Sequence, residues 1–185
     1  MPTKMDKWKI LSSQYLLRRK WMDVREDRVQ LPTGVIIDEF HVLEYPDWVC
    51  VLPLTNDEEV VLVQQYRHGV ERVCVEFPAG VVEPGEDVIG AAKRELLEET
   101  GYEATDWEYL GDCAPEPSRH SNRAHMIVAR GAVRAYAPRP DENEVISVRK
   151  LPVTELRQLI ASDEFIHGVH HAALLLASLK GIITL

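Results

Sequence analysis

The stretch between Gly80 and Tyr102 constrains the fold most, because it joins a glycine-punctuated loop to a helix crowded with carboxylates. Glu95, Glu98 and Glu99 recur at i, i+3 and i+4, which brings them onto one helix face. Like charges this close repel, and near the carboxyl end of a helix the dipole also disfavours them. A divalent cation would relieve the repulsion, and magnesium takes oxygen ligands while keeping phosphates in its shell. The alternative is a solvated acidic face.

The loop before this helix favours the metal interpretation. Its glycines and proline, at residues 80–85, shape a tight turn that can bring backbone carbonyls beside the carboxylates. We predict Asp87 as the N-cap, with the helix running to about Thr100 and Gly101 as its stop. We expect Arg94 to face away from the acids and to brace the loop through bidentate hydrogen bonds.

Composition limits the classes of partner. A chain of 185 residues fits one domain, or one domain with a short extension. Its formal net charge of −9 disfavours a nucleic-acid partner bound through lysine and arginine alone. Cys50, Cys74 and Cys113 are too far apart for a disulfide framework and indicate reduced thiols of a cytoplasmic protein. Adjacent His170 and His171 point in different directions on a helix, so zinc is not expected.

We expect no membrane partner. The first ten residues lack the apolar run of a signal peptide. Residues 172–179 are apolar but too few to span a bilayer, so they indicate a buried helix.

Strands mixed with a few helices predict an α+β fold in which a mixed sheet is held between helices. Residues 8–45 are strand-rich, with an antiparallel hairpin turning at residues 31–34. Their meagre core favours packing on a second subunit, although a meander on the same domain is an equal alternative. Further strands are predicted at residues 47–54, 60–66, 74–77, 107–114, 125–132 and 145–151, and further helices at 154–161 and 169–180.

The spacing within residues 80–102 matches a known signature at every defined position. The matching residues are Gly80, Glu86, Arg94, Glu95, Leu96, Glu98, Glu99, Gly101 and the hydrophobic Tyr102. This pattern resembles the Nudix box. The resemblance implies a Nudix hydrolase with an α/β/α sandwich and an N-terminal antiparallel strand extension. On this basis we expect residues 1–45 to serve dimerisation and base binding, and residues 46–185 to form the catalytic domain.

Three further features are similar to ADP-ribose and other nucleotide-sugar pyrophosphatases. They are the lead-in from Glu76 to Gly80, the run at residues 64–67, and Pro117, fifteen residues after the box. The resemblance implies a homodimer that hydrolyses a nucleoside diphosphate sugar to a nucleoside monophosphate and a sugar phosphate. Residues 118–123 depart from the Gly-x-Ser-x-Glu-like run of many ADP-ribose enzymes, which leaves other nucleoside diphosphate sugars open.

The resemblance also implies roles for particular residues. The metal would be Mg²⁺, for which Mn²⁺ can substitute, and the general base would come from the acidic loop at residues 141–144, with Glu142 as first choice and Glu144 as second. The expected metal ligands are the Ala79 carbonyl, Glu95 and Glu99. Glu98 would be a further ligand that shares or bridges metals and so takes part in catalysis. The expected substrate-binding residues are Arg67, Glu76, Arg119 and Arg123.

Two other functions stay open. One is a pyrophosphatase for nucleoside triphosphates or dinucleoside polyphosphates, against which Pro117 and the N-terminal piece argue. The other is a sensor that binds a nucleotide sugar without cutting it, against which the complete set of box acids argues. Base stacking could use Trp21, Trp48 or residues of a partner subunit, and the sequence does not choose among them.

Overall fold

The computed structural model describes residues 6–139 and 143–185. Within these ranges the strands are β1 Lys9–Arg18, β2 Asp23–Gln30, β3 Ile36–Glu44, β4 Trp48–Leu54, β5 Glu59–Arg67, β6 Arg72–Glu76, β7 Ala79–Val81, β8 Tyr102–Glu103, β9 Asp106–Cys113, β10 Ala124–Arg130, β11 Val133–Arg134 and β12 Ile146–Pro152. The helices are α1 Val88–Thr100, α2 Leu156–Ile160 and α3 Gly168–Leu179, with short 3₁₀ turns at His68–Val70 and Val153–Glu155.

Two compact units divide the chain, and the first holds the described residues up to Pro46 together with Ala114–Asn122. Strands β1, β2 and β3 form its antiparallel sheet in that order. The predicted hairpin is present as β2 and β3, and Gly34 turns between them with a φ of 88°. The sequence prediction did not separate out β1 as a third strand. Residues 114–122 join this unit because the main chain of Leu43 bonds to Arg119 and Ser121.

The second unit, Asp47–Cys113 with Arg123–Leu185, is built on a seven-stranded sheet. Its path runs β12, β5, β4, β10, β9, and β4 with β10 is a parallel pair among antiparallel ones. The sheet is therefore mixed, as predicted.

Alternation along the central strands puts apolar side chains on both faces of this sheet. On β4, Cys50 and Leu52 join a core that includes residues of α2 and α3. Val49 and Val51 point the other way and pack in a second core with the apolar residues of α1. The sheet is thus held between helices, which confirms the predicted α+β sandwich.

Strands β4 and β5 pair at one residue pair, Leu54 with Val60, and β6 and β7 occupy the space where they separate. Strand β6 pairs with β5, whereas β7 pairs with β4. This insertion brings the end of β6 and the start of β7 into the middle of the unit, against α1.

Helix α1 begins and ends where the sequence predicts. The Asp87 side chain accepts a hydrogen bond from the backbone N–H of Gly90, and Gly101 adopts a left-handed φ of 73°. Within residues 6–139 and 143–185, no helix is long and apolar enough to cross a membrane.

Candidate active site

The acidic face of α1 lies directly against the backbone of β7. Glu99 is 2 % exposed, and its Oε2 accepts a hydrogen bond of 3.0 Å from the backbone N–H of Ala79. A Cβ atom on Gly80 would lie 2.0 Å from Oε1 of Glu95, so the carboxylate occupies the space that a side chain would need. Glycine at position 80 is therefore required by close approach, not by a left-handed backbone.

Arg94 connects this face to the loop before the helix. Its guanidinium donates to both oxygens of Glu86, at 3.1 and 3.0 Å, and to the carbonyl of Val81 at 2.8 Å. The predicted bracing of the loop is thus confirmed. The prediction that Arg94 faces away from the acids is wrong, because Nη1 also binds Glu95 at 2.7 Å and Glu98 at 3.2 Å. Glu98 lies one helical turn further on, within reach of the long arginine side chain.

Burial dominates the electrostatics of the acids. It raises the pKa of Glu95 to about 7, although Arg94 opposes it, and the charges of Glu98 and Glu144 add to the rise. Burial also raises the pKa of Glu99 well above its usual range, with further contributions from Glu95 and Glu144. Without a cation, the charged forms of Glu95 and Glu99 are therefore disfavoured on this face of α1.

These donors fit a hard divalent cation in chemistry. Carboxylate and carbonyl oxygens are the ligands that magnesium and manganese take, and a bound cation would favour the charged form of these carboxylates. Across the described ranges, no three His, Cys, Asp or Glu side chains form a group that could hold a metal ion as they stand. Each of the three acids instead accepts a hydrogen bond from the protein. Arg94 donates to Glu95 and Glu98, and the backbone N–H of Ala79 donates to Glu99. The ligand set of Ala79, Glu95, Glu98 and Glu99 stays a prediction.

Arg67 and Glu76, predicted to bind substrate, form a pair beside this helix. Nε of Arg67 donates to both oxygens of Glu76, at 3.0 and 3.1 Å, and Nη2 donates to Oε2. Glu76 is only 1 % exposed, whereas the Arg67 side chain is 41 % exposed. Both residues line a cavity of about 600 Å³, which also reaches Ala79, Gly80 and Trp48.

The other predicted substrate residues have contacts of their own. Arg119 belongs to the N-terminal unit, where its carbonyl accepts from the backbone of Leu43. Arg123 pairs with Asp112 and does not line the cavity that holds Arg67. No contact bears on their roles, which stay predictions.

The predicted general bases are described only in part. Glu142 lies outside the described residues, together with Asp141. Glu144 is described and exposed, and its charge raises the pKa of both Glu95 and Glu99. Glu144 is therefore within electrostatic range of the acids of α1.

The carboxyl end of α1 holds the chain segment that follows β11. The carbonyl of Gly101 accepts from the backbone N–H groups of Ala135 and Tyr136, and that of Glu98 accepts from Arg139 at 2.7 Å. A Cβ on Gly101 would lie 2.2 Å from the Tyr136 carbonyl oxygen. Glycine is thus needed at position 101 for two reasons: it adopts the left-handed conformation that ends α1, and it leaves room for the Tyr136 carbonyl.

Two histidines that sequence reasoning did not assign to the site support it from α3. His167 lines the cavity and caps α3, its Nδ1 accepting from the backbone N–H of Val169 at 3.3 Å. His170 is fully buried and accepts from the backbone N–H of Phe77 at 3.0 Å, which steadies the link between β6 and β7. The two imidazoles stack 4.4 Å apart. The three-residue spacing of His167 and His170 in the sequence places them on one side of a helix. This spacing alone does not show that one histidine caps the helix and the other contacts the core.

The protein-family model of the NUDIX domain matches residues 44–170. The family model of the nucleoside diphosphate sugar hydrolase N-terminal domain matches residues 8–43. The chain belongs to the Nudix family of hydrolases, which confirms the family predicted from its sequence.

Relatives of known name cover most of the chain. A protein named methanol dehydrogenase activator from Bacillus methanolicus is 34 % identical over 153 residues, 82 % of each chain. An ADP-ribose pyrophosphatase of Bacillus subtilis is 29 % identical over 157 residues, 84 % of each chain. A crystal structure of an ADP compounds hydrolase superposes with a TM-score of 0.85 at 27 % identity and covers 97 % of both chains.

Proposed function

We propose that this protein hydrolyses the pyrophosphate bond of a nucleoside diphosphate sugar, with ADP-ribose and other ADP-sugars as first candidates. The products would be a nucleoside monophosphate and a sugar phosphate. The observation that carries the proposal is the pair of acids, partly buried Glu95 and buried Glu99, held against the backbone of Gly80 and Ala79. The match of residues 8–43 and the names of the pyrophosphatase relatives support this class of substrate.

The Ala79 carbonyl, Glu95, Glu98 and Glu99 would hold Mg²⁺, or Mn²⁺ in its place. When bound, the cation would neutralise the pyrophosphate and lower the pKa of an attacking water. Glu76 occupies Nε and one N–H of Nη2 of Arg67, so Nη1 and the second N–H of Nη2 can donate to a substrate oxygen. Because the buried carboxylate fixes the plane of the guanidinium, Arg67 would orient the substrate as well as attract it.

The general base would be Glu142 or Glu144. The electrostatic effect of Glu144 on Glu95 and Glu99 supports an acid from this part of the chain acting on a water beside the metal ligands. Glu142→Gln and Glu144→Gln, assayed separately for the pH dependence of kcat, would show which carboxylate removes the proton.

The N-terminal unit would serve base binding and assembly of a homodimer in the cytoplasm. Several of its large apolar side chains are more than half exposed, which favours a second copy as their cover. They are Ile10, Leu16, Trp21 and Val35. Light scattering at several concentrations tests the dimer. The three free cysteines agree with a reducing compartment.

The test of function is a panel of ADP-ribose, ADP-glucose, GDP-mannose, UDP-glucose, dinucleoside polyphosphates and nucleoside triphosphates with Mg²⁺. Release of a nucleoside monophosphate and a sugar phosphate supports the proposal. Preferred cleavage of the triphosphates or dinucleoside polyphosphates contradicts the substrate class. Binding without turnover across the panel contradicts the enzyme.

Glu99→Gln tests the ligand set. We expect turnover to fall by about 100-fold or more, because a ligand oxygen is lost. Without metal, the variant should melt at a higher temperature than the native chain, since a buried charge has been removed. Exposed Glu103→Gln is the control and should change neither quantity. Native turnover by Glu99→Gln would refute the assignment.

A further inference from the structure

The cavity beside the acids has a second wall, which the mechanism above does not use. It passes from Arg67 and Ala79 to Trp48 and His167, all within the larger unit. The rings of Trp48 and His167 meet edge to face, with centroids 5.3 Å apart and planes at 66°. Two aromatic rings at this angle form a corner with one apolar surface and one polar edge.

The imidazole of His167 is fixed in one tautomer. Its Nδ1 accepts from the backbone N–H of Val169, so the proton of the neutral ring is on Nε2. Burial lowers its pKa, which favours the neutral ring. Among the described residues, Nε2 of His167 has no hydrogen-bond partner. This atom is therefore a donor available to a ligand in the cavity.

The position of the cavity determines which part of a substrate can enter it. Because Ala79 and Gly80 line the cavity and also contact Glu99 and Glu95, a pyrophosphate held at those acids would direct one end of the substrate into the cavity. The volume of about 600 Å³ is within the range of small-molecule pockets.

The lining of the cavity suits a sugar ring. Trp48, Val81 and Ile166 offer apolar contacts, and Arg67 and His167 supply hydrogen-bond donors. A furanose or pyranose has apolar C–H faces and a rim of oxygen acceptors, which complements this arrangement. The carboxylate of Glu76 is already engaged by Arg67, so donors predominate over acceptors at the polar edge.

We propose that His167 is a specificity-determining residue, whose Nε2–H donates to a hydroxyl oxygen of the substrate's terminal sugar packed against Trp48. The inference rests on the proposed function, because it assumes that the acids hold the pyrophosphate. His167 would contact the phosphorylated sugar of the substrate, and the nucleotide would lie outside this cavity.

The test measures binding of products by calorimetry, with Mg²⁺, so that it does not depend on turnover. The probes are ribose 5-phosphate, glucose 1-phosphate, mannose 1-phosphate and AMP. His167→Asn removes Nε2–H but keeps an N-cap acceptor, because asparagine is among the best N-cap residues. His171→Asn is the matched control, since the His171 ring contacts the carbonyl of His167 at 3.0 Å but does not line the cavity.

We expect His167→Asn to weaken the best-bound sugar phosphate by about three- to tenfold, the effect of one hydrogen bond, with its melting temperature and AMP affinity unchanged. His171→Asn should bind like the native chain. Equal affinities of His167→Asn and the native chain, no binding of any sugar phosphate, or a loss confined to AMP would each overturn the inference.

His167→Ala checks for a merely structural role. If it weakens sugar phosphate binding whereas His167→Asn does not, the cap alone matters and the inference falls. The hydrolysis panel judges the proposed function separately, because a native chain can fail to turn over any substrate while its affinity for a sugar phosphate still depends on His167.

Discussion

We expect Gly80→Ala to lower the activity of this protein strongly while leaving its thermal stability almost unchanged. The added Cβ would lie 2.0 Å from Oε1, 2.1 Å from Cδ and 2.4 Å from Oε2 of Glu95. Ordinary contact begins near 3.5 Å, so the carboxylate must move by more than about 1 Å. The conflict is with the end of a flexible side chain and not with backbone, so Glu95 can turn away at small cost to the fold.

If Glu95 holds the metal as proposed, the consequence for catalysis is large, because a metal ligand tolerates displacements of only about 0.2 Å. A misplacement of about 1 Å can cost about 100-fold in rate. We therefore expect kcat/KM to fall by about 100-fold and the Mg²⁺ concentration for half-maximal rate to rise. The melting temperature without metal should stay within about 3 °C, since the backbone of Gly80 needs no left-handed conformation.

Phosphate-product assays across a Mg²⁺ titration, paired with thermal melts, measure both effects. Gly90→Ala is the matched control on α1: its Cβ would meet its nearest atom at 3.5 Å, and alanine favours a helix by about 1 kcal/mol. It should be at least as stable as the native chain and fully active. Native activity and metal affinity in Gly80→Ala would refute the role of Glu95, and unfolding would refute the claim that the side chain absorbs the clash.

Two further substitutions test the supporting contacts. Arg67→Ala should lower the free energy of unfolding by about 2 kcal/mol, because buried Glu76 loses its partner, and adding Glu76→Gln should restore part of it in urea denaturation. A double variant less stable than the single would contradict this. Burial, with smaller contributions from the neighbouring His167 and from Arg67, depresses the pKa of His170. The unfolded chain therefore binds the proton first, so stability present above about pH 6.5 falls by about 1 kcal/mol between pH 6.5 and 5.5. His170→Asn keeps an acceptor for Phe77 and should fall by about 1 kcal/mol less over that range, and an identical fall would exclude His170 as the source.

Local chemistry made α1 and its loop predictable from sequence. Asp87 and Gly101 mark its ends through effects that act within a few residues, a side-chain cap and a left-handed φ. The i, i+3 and i+4 spacing placed the acids on one face for the same reason. The continuous apolar run of β4, Trp48–Leu54, likewise indicates a strand buried on both faces.

Features that depend on distant parts of the chain escaped sequence reasoning. Arg94 was expected to point away from the acids, but a long side chain among several carboxylates takes the direction that tertiary packing leaves open. Strand β1 is exposed along most of its length, so its periodicity is too weak to mark it. The corner of Trp48 and His167 joins β4 to the start of α3, which no spacing rule relates.

The main-chain contacts at the carboxyl end of α1 have a consequence for how the enzyme tolerates change. Carbonyls of Glu98 and Gly101 hold the segment at Ala135–Arg139 through backbone N–H groups alone. Replacing the side chain of Tyr136 or Arg139 leaves these bonds intact, whereas a side chain on Gly101 would push the segment off the helix. Side-chain substitutions in this segment should therefore leave its attachment to α1 intact, whereas position 101 must stay glycine.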